Sequence, residues 1–186
     1  GITLYDLGQP NAACKSYMNA LAIEPDYAEA HSNLGITLNE LGRFEAAEAS
    51  YNRALAIAPH FAEAYSNLGD LLTDLKRLDE ALVSYETAFN LKSDIIFMLG
   101  KLLHTKMHLC LWDDLSSRLD ELQDKIHNNE KVIPPFPMLG LIDDPELQRK
   151  ATEIFVNKHH PKNHDLPNIG LYPQHKKIRI GYFSAD

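Results

Sequence analysis

Apolar and small side chains recur through the first half of the chain at intervals of three and four residues. In one segment these positions are Ala28, His31, Leu34, Gly35 and Leu38. Residues with this spacing lie on one face of an α-helix, and the polar residues between them lie on the other face. The next segment repeats the spacing, at Ala47, Tyr51, Ala54 and Leu55. The sequence therefore predicts two amphipathic helices, over about 26–40 and 44–57.

Helix-ending residues separate these segments. Gly42 follows the first helix, and glycine is favoured there because it adopts the left-handed conformation that commonly ends a helix. Pro59 follows the second helix and blocks its continuation. The result is a pair of short antiparallel helices.

The helix pair recurs with a period of 34 residues. This step relates Pro25 to Pro59 and Tyr51 to Tyr85, and it carries Asn-Leu-Gly at 33–35 to the same tripeptide at 67–69. A period of about 34 residues resembles the tetratricopeptide repeat, whose helix pairs stack into a superhelix. The sequence therefore predicts an all-α, helix-turn-helix superhelix.

The period divides residues 1–127 into four units. They are a truncated unit (1–25), two regular units (26–59 and 60–93) and a degenerate one (94–127). In the degenerate unit Leu99, Leu102 and Leu103 take the core positions of the first helix, and Trp112 takes the place where Phe44 begins a second helix. Large residues replace small ones there, which is typical of a terminal unit that packs against something other than another repeat.

The repeat pattern stops after residue 127. Pro134, Pro135 and Pro137 predict a stiff, extended connector. Asp144-Pro145-Glu146 is typical of a helix start, and the helix is expected over about 144–160 within a connector of residues 128–176. Residues 177–186 read as a strand that opens an α/β domain. We therefore expect the chain to be part of a longer protein.

Residues of the first helices that lie off the core stripe are expected to line a groove. An asparagine amide donates and accepts hydrogen bonds, so Asn33 and Asn67 can pair with a peptide backbone. The predicted peptide-binding residues are Asn33, Asn67, Asn39, Ser32, Ser66 and Asp70. The alternative is that each asparagine bonds locally between helices or faces water. The expected partner is a polypeptide.

Composition excludes several other partners. The 186 residues are 45% hydrophobic and 24% charged, with 26 acidic and 18 basic residues and a net charge of −8. An acidic chain without a basic stripe is a poor binder of nucleic acid or anionic membrane. Its apolar runs are too short to span a bilayer. Cys14 and Cys110 fall in predicted helical segments and are expected as reduced thiols of a cytosolic protein.

Three stretches together resemble the protein O-GlcNAc transferase family, including its SPINDLY-type and bacterial members. They are Ala-Glu-Ala-His-Ser-Asn-Leu-Gly at 28–35 with its repeat at 62–69, Cys110-Leu-Trp112-Asp113-Asp114, and Lys-Ile-Arg-Ile-Gly-Tyr-Phe-Ser-Ala-Asp at 177–186. The resemblance implies a metal-independent GT-B glycosyltransferase. Such enzymes move N-acetylglucosamine from UDP-GlcNAc, or fucose from GDP in the SPINDLY branch, to Ser or Thr of proteins. The expected location of the protein is the cytoplasm, with the nucleus as the alternative in a eukaryotic cell.

The same resemblance assigns roles along the chain. Asn33 and Asn67 match the family's asparagine ladder, which grips acceptor polypeptide, and Lys101 breaks the ladder. The family's catalytic histidine and nucleotide-sugar contacts lie beyond the match to Asp186, so neither catalytic nor cofactor-binding residues are expected here. The other hypothesis is a stand-alone adaptor or scaffold that binds peptide without an attached enzyme.

One metal-like spacing occurs in the degenerate unit. His104 and His108 are four residues apart on a predicted helix, which is a spacing that zinc ligands use. No carboxylate motif accompanies them, so the sequence alone does not predict a metal site.

Overall fold

The computed structural model describes residues 1–159, and in this range every regular element is a helix. The ten helices are α1 (Ile2–Asp6), α2 (Pro10–Ile23), α3 (Ala28–Glu40), α4 (Phe44–Ile57), α5 (Ala62–Asp74), α6 (Leu78–Leu91), α7 (Met98–His108), α8 (Leu115–His127), α9 (Pro135–Leu141) and α10 (Pro145–His159). The predicted strand at residues 177–186 lies outside the described residues. Among residues 1–159, no helix combines the length and apolar character needed to cross a bilayer.

The helices pack in chain order. Within the regular units α3 packs against α4, and α5 packs against α6. Each pair also contacts the next, through α2 with α3, α4 with α5, and α6 with α7, and the two first helices α3 and α5 contact each other directly. This arrangement confirms the prediction of an all-α tetratricopeptide superhelix.

A glycine and a tyrosine pack together in each regular unit. Tyr51 and Tyr85 are 1% and 3% exposed, and each ring lies against the glycine 16 residues before it. A Cβ atom placed on Gly35 would lie 2.6 Å from Cε1 of Tyr51, and one on Gly69 would lie 2.5 Å from Cε1 of Tyr85. The missing side chain of each glycine therefore lets the second helix of its unit approach closely.

The turn between the two helices of a unit has the same backbone conformation in all four units. Gly8, Gly42, Lys76 and Cys110 follow one another at 34-residue steps, with φ of 69°, 71°, 62° and 57°. Cys110 therefore lies in the turn after α7, and the prediction that it lies in a helix is wrong. The left-handed turn keeps its register in the degenerate unit even though the glycine is gone.

The second helix of the degenerate unit begins later than predicted. Trp112 was expected to start it, as Phe44 starts α4, but α8 begins at Leu115 and the Trp112 side chain is 50% exposed. The side chains that α8 buries completely are Leu122 and Ile126. The expected core positions of the first helix, Leu99, Leu102 and Leu103, are all buried.

The segment after α8 folds back onto α7. The amide of Phe97 donates to the Lys131 carbonyl oxygen at 2.7 Å, and the amide of Gly100 donates to the Val132 carbonyl oxygen at 2.8 Å. Ile133 lies directly over Gly100 and is 2% exposed. These contacts attach the connector to the last repeat.

The prediction of an extended connector is wrong for residues 135–141, which form α9. Pro135 occupies the first position of this helix, where its missing N–H group costs no hydrogen bond. The helix buries Met138 completely and packs against α7 and α10. Apolar burial therefore outweighs the preference of the prolines for an extended chain.

The predicted helix at about 144–160 is present as α10. Oδ1 of Asp144 accepts hydrogen bonds from the amides of Glu146 at 2.9 Å and Leu147 at 3.1 Å, as expected of an N-cap residue. Leu147 and Ala151 pack into a second core, which α7, α8 and α9 share. The degenerate unit is thus covered by α9 and α10 rather than by another repeat.

Candidate functional site

The first helices of the two regular units expose equivalent stripes of side chains. Positions separated by four, three and four residues fall on one side of an α-helix. We call these eight positions the A-helix face: Glu29, Asn33, Ile36 and Glu40 on α3, and Glu63, Asn67, Asp70 and Asp74 on α5. All eight are exposed or half-buried. Because α3 and α5 contact each other, the two stripes form one surface.

The structure places Asn33 and Asn67 at the same point of successive stripes. Both are half-buried, and neither side-chain amide is hydrogen-bonded to another residue of the described range 1–159. The hydrogen bond from the Thr37 hydroxyl, at 2.8 Å, goes to the backbone carbonyl of Asn33 and does not involve its side-chain amide. The local hydrogen bonds that would explain these asparagines as purely structural residues are not formed in this part of the chain.

The two predicted serines lie beneath this surface. Ser32 and Ser66 are 2% and 3% exposed, so their hydroxyl groups offer almost no area to a peptide. Ser66 lies at the contact with the next unit, where its hydroxyl accepts a hydrogen bond from Lys101 on α7 at 3.3 Å. Sequence spacing did not distinguish them from the asparagines that follow them, because burial there depends on the neighbouring repeat.

Asn39 lies to one side of the A-helix face. It is six residues after Asn33, which corresponds to about 240° of rotation around the helix. Its equivalent in the next unit is Thr73, whose hydroxyl lies 3.2 Å from that of Tyr85 between the two helices of the unit. Asn39 is half-buried and borders the helix pair.

Asp70 belongs to a polar cluster that also includes two residues the sequence did not place in a site. Its Oδ1 accepts a hydrogen bond from the Tyr85 hydroxyl at 2.7 Å, and its Oδ2 lies 2.6 Å from the Lys101 Nζ. Lys101 also donates to the Ser66 hydroxyl at 3.3 Å. Burial is the main cause of the raised pKa of Tyr85, and the charge of Asp70 is the second. Tyr85 therefore stays protonated and acts as a hydrogen-bond donor.

Lys101 lies 34 residues after Asn67, so it is the equivalent of Asn33 and Asn67 in the degenerate unit. Its ammonium group is paired with Asp70, and it lies 6.0 Å from the centre of the Tyr85 ring. The cation that ends the row of asparagines is therefore already neutralised within the chain.

Two further acids of the A-helix face have partners. Glu63 accepts a hydrogen bond from Lys92 at 2.8 Å, and this bond is the main reason that the pKa of Glu63 is lowered. Glu40 lies near the Tyr5 hydroxyl on α1: burial is the main cause of the raised pKa of Tyr5, and the charge of Glu40 is the second.

Across residues 1–159, His, Cys, Asp and Glu side chains do not gather in groups of three or more that would suit a metal ion.

Family models match the part of the chain that forms these stripes. Tetratricopeptide repeat models match residues 28–61 and 62–95, and a TPR repeat model matches residues 1–42. Residues 1–95 belong to the tetratricopeptide repeat family. The degenerate unit lies largely beyond these matches, but its turn at Cys110 keeps the register of the repeats. No curated protein matches the sequence.

Several solved structures share the fold. MamA is 25% identical, with a TM-score of 0.61 over 73% of this chain and 75% of that one. The first TPR of Spaghetti (RPAP3), solved with the HSP90 peptide SRMEEVD, is 24% identical, with a TM-score of 0.57 over 59% of this chain and 87% of that one. A mutant O-GlcNAc transferase from Thermobaculum terrenum is 24% identical, with a TM-score of 0.61 over 68% of this chain but 24% of the transferase. These similarities establish a common fold.

Proposed function

We propose that the A-helix face of α3 and α5 binds an extended segment of another polypeptide. The observation that carries this proposal is the pair of equivalent, unengaged amides at Asn33 and Asn67 on two helices in contact. Each amide can donate to a backbone carbonyl and accept from a backbone N–H group. Two such groups in register hold a strand by its main chain and select its sequence only weakly.

The charge of the surface favours some polypeptides over others. Beside the two asparagines lie Glu29 and Asp74, both exposed, while the nearest cation of the register, Lys101, is held by Asp70. A strongly acidic segment would meet like charges, and none of the eight positions of the A-helix face carries a cation, so its binding would be less favourable. We therefore expect neutral or basic segments to bind and an acidic peptide such as SRMEEVD to bind poorly.

The test uses replacement of both amides. A phage-displayed library of random peptides is selected on the 186-residue chain, and the affinity of a selected peptide is measured by fluorescence anisotropy. Loss of the hydrogen bonds of two amides, at about 0.5–1.5 kcal/mol each, should weaken binding by Asn33→Ala/Asn67→Ala about 5- to 150-fold.

The matched control is Asn52→Ala/Asn90→Ala, which removes two exposed amides from the second helices α4 and α6. This variant should bind the peptide as the wild type does. Equal affinity of the two double variants would contradict the proposed site.

We propose further that this surface receives acceptor proteins for a protein O-glycosyltransferase. Support comes from the resemblance of residues 28–35, 110–114 and 177–186 to that family, and from the shared fold with one bacterial O-GlcNAc transferase. In this proposal residues 1–127 form the repeats, residues 177–186 begin the catalytic region, and residues 128–176 connect the two. UDP-GlcNAc would be the donor. The 186-residue chain should then release no UDP from labelled UDP-GlcNAc, whereas the longer protein should glycosylate the selected peptide.

A stand-alone adaptor is the second candidate function, and it is equally supported. The first TPR of Spaghetti (RPAP3) was solved with an HSP90 peptide, and the second TPR domain of human RPAP3, which also shares the fold, was solved with an HSP70 peptide. An adaptor would bind the selected peptide through the same amides, but the longer protein would then transfer no sugar. The peptide experiment therefore tests the site, and the transfer experiment separates the two functions.

A further inference from the structure

Two histidines on α7 bring the same ring atom close together. His104 and His108 are one helical turn apart, and their Nε2 atoms lie 3.2 Å from each other. Their rings meet edge to face, with centroids 4.5 Å apart and planes at 81°. His104 is half-buried and His108 is exposed, so the point between them is open to solvent.

The distance between the two Nε2 atoms is close to the distance between two nitrogen ligands of one zinc ion. A tetrahedral Zn²⁺ holds imidazole nitrogens at about 2.0–2.1 Å, which places two of them about 3.3 Å apart. The two Nε2 atoms are hydrogen-bonded to each other, so one ring carries its proton there. A zinc ion would replace this hydrogen bond, with that proton moved to Nδ1, at nearly the same nitrogen–nitrogen separation. We propose that His104 and His108 form a two-histidine chelate for Zn²⁺ on the exposed side of α7.

The charges around the pair do not oppose a bound cation. The nearby cations on α7 are held by acids: Lys101 pairs with Asp70, and Lys106 pairs with Asp114 at 3.0 Å.

The remaining coordination positions are not filled by side chains of residues 1–159, because these residues do not bring a third His, Cys, Asp or Glu to the pair. Water or a donor from a bound molecule must complete the tetrahedron. The site therefore resembles an open zinc site rather than a closed structural one, and its affinity should be well below that of a four-ligand centre.

The test is titration of the 186-residue chain with ZnCl₂ near neutral pH by isothermal calorimetry. His104→Ala and His108→Ala should each bind one Zn²⁺ equivalent fewer than the wild type. The matched control is His60→Ala, which removes an exposed histidine from the loop before α5 and should leave the titration unchanged. Circular dichroism checks that both α7 variants keep their helix content.

Two other groups could bind the ion, and the variants separate them from the pair. The sequence also contains His159, His160, His164 and His175, and Cys110 lies exposed two residues after His108. The proposal is wrong if both α7 variants bind as many zinc ions as the wild type. It is also wrong if Cys110→Ser loses one bound zinc ion and His108→Ala does not. Zinc-induced shifts of the His104 and His108 imidazole NMR signals, with those of His60 unmoved, would support it independently.

Discussion

Gly100→Ala tests how the connector is attached to the last repeat. An alanine Cβ at this position would lie 2.8 Å from the Cα of Ile133 and 2.7 Å from its Cγ1. The first of these atoms belongs to the backbone, so the clash is relieved only if the connector moves. That movement would stretch the hydrogen bond of 2.8 Å between the Gly100 amide and the Val132 carbonyl.

The magnitude follows from three opposing terms. Overpacking of a core contact costs about 1–3 kcal/mol. Loss of the Val132 hydrogen bond, and of its neighbour from Phe97 to Lys131, costs about 0.5–1.5 kcal/mol each. Replacing glycine by alanine inside a helix returns about 1 kcal/mol. We therefore expect Gly100→Ala to lower the free energy of unfolding by about 1–5 kcal/mol.

The assay is urea denaturation followed by circular dichroism, together with amide hydrogen exchange at Phe97 and residue 100. The matched control is Gly140→Ala in α9, where the new Cβ would lie 3.3 Å from the flexible methyl end of Met107. The control should be neutral or slightly stabilised, since its neighbour can turn aside. Equal stability of the two variants, with unchanged exchange at the α7 amides, would refute the proposed docking of the connector.

Three further predictions concern the repeats and their turns. Gly35→Ala should lower stability by about 1–2 kcal/mol in urea denaturation, because the Tyr51 ring blocks the new methyl group; Tyr51→Leu in the same chain should recover part of the loss, and simple additivity would contradict the contact. Lys76→Gly should raise stability by about 0.5–1 kcal/mol, since the left-handed conformation is strained for lysine; a lower denaturation midpoint would contradict this. Asp114→Asn should destabilise the chain at neutral pH, because the hydrogen bond from Lys106 lowers the pKa of Asp114. Because the pKa of Asp114 is lower in the folded chain, its carboxylate stabilises the fold at pH values above the usual pKa of 3.8. This stabilisation is lost as the pH falls through the lowered pKa. The difference between wild type and Asp114→Asn in thermal melts should therefore shrink in acid, and a constant difference would contradict the ion pair.

The regular repeats could be predicted almost completely from the sequence. Glycine at 35 and 69, tyrosine at 51 and 85, and proline at 25 and 59 all act locally or on the adjacent helix. The helix boundaries observed for α3 to α6 differ little from those expected, because each element depends on its own periodicity and on a neighbour of the same design.

The degenerate unit and the connector could be predicted only in part. The core leucines of α7 were recognisable, but the late start of α8 and the helix α9 were not. Three prolines in four residues favour an extended chain locally. Their conformation is decided by burial of Met138 and Ile133 against α7, a contact with a distant part of the sequence.

The candidate site shows the same division. Sequence register by itself determined that Asn33 and Asn67 are equivalent, since a 34-residue step fixes their place on successive helices. Only the tertiary structure decided that Ser32 and Ser66 are buried, that Asp70 holds Lys101, and that two histidine nitrogens meet at 3.2 Å. The physical reason is that periodicity determines which side of a helix a residue occupies, whereas burial, pairing and distance depend on what the neighbouring helix places opposite it.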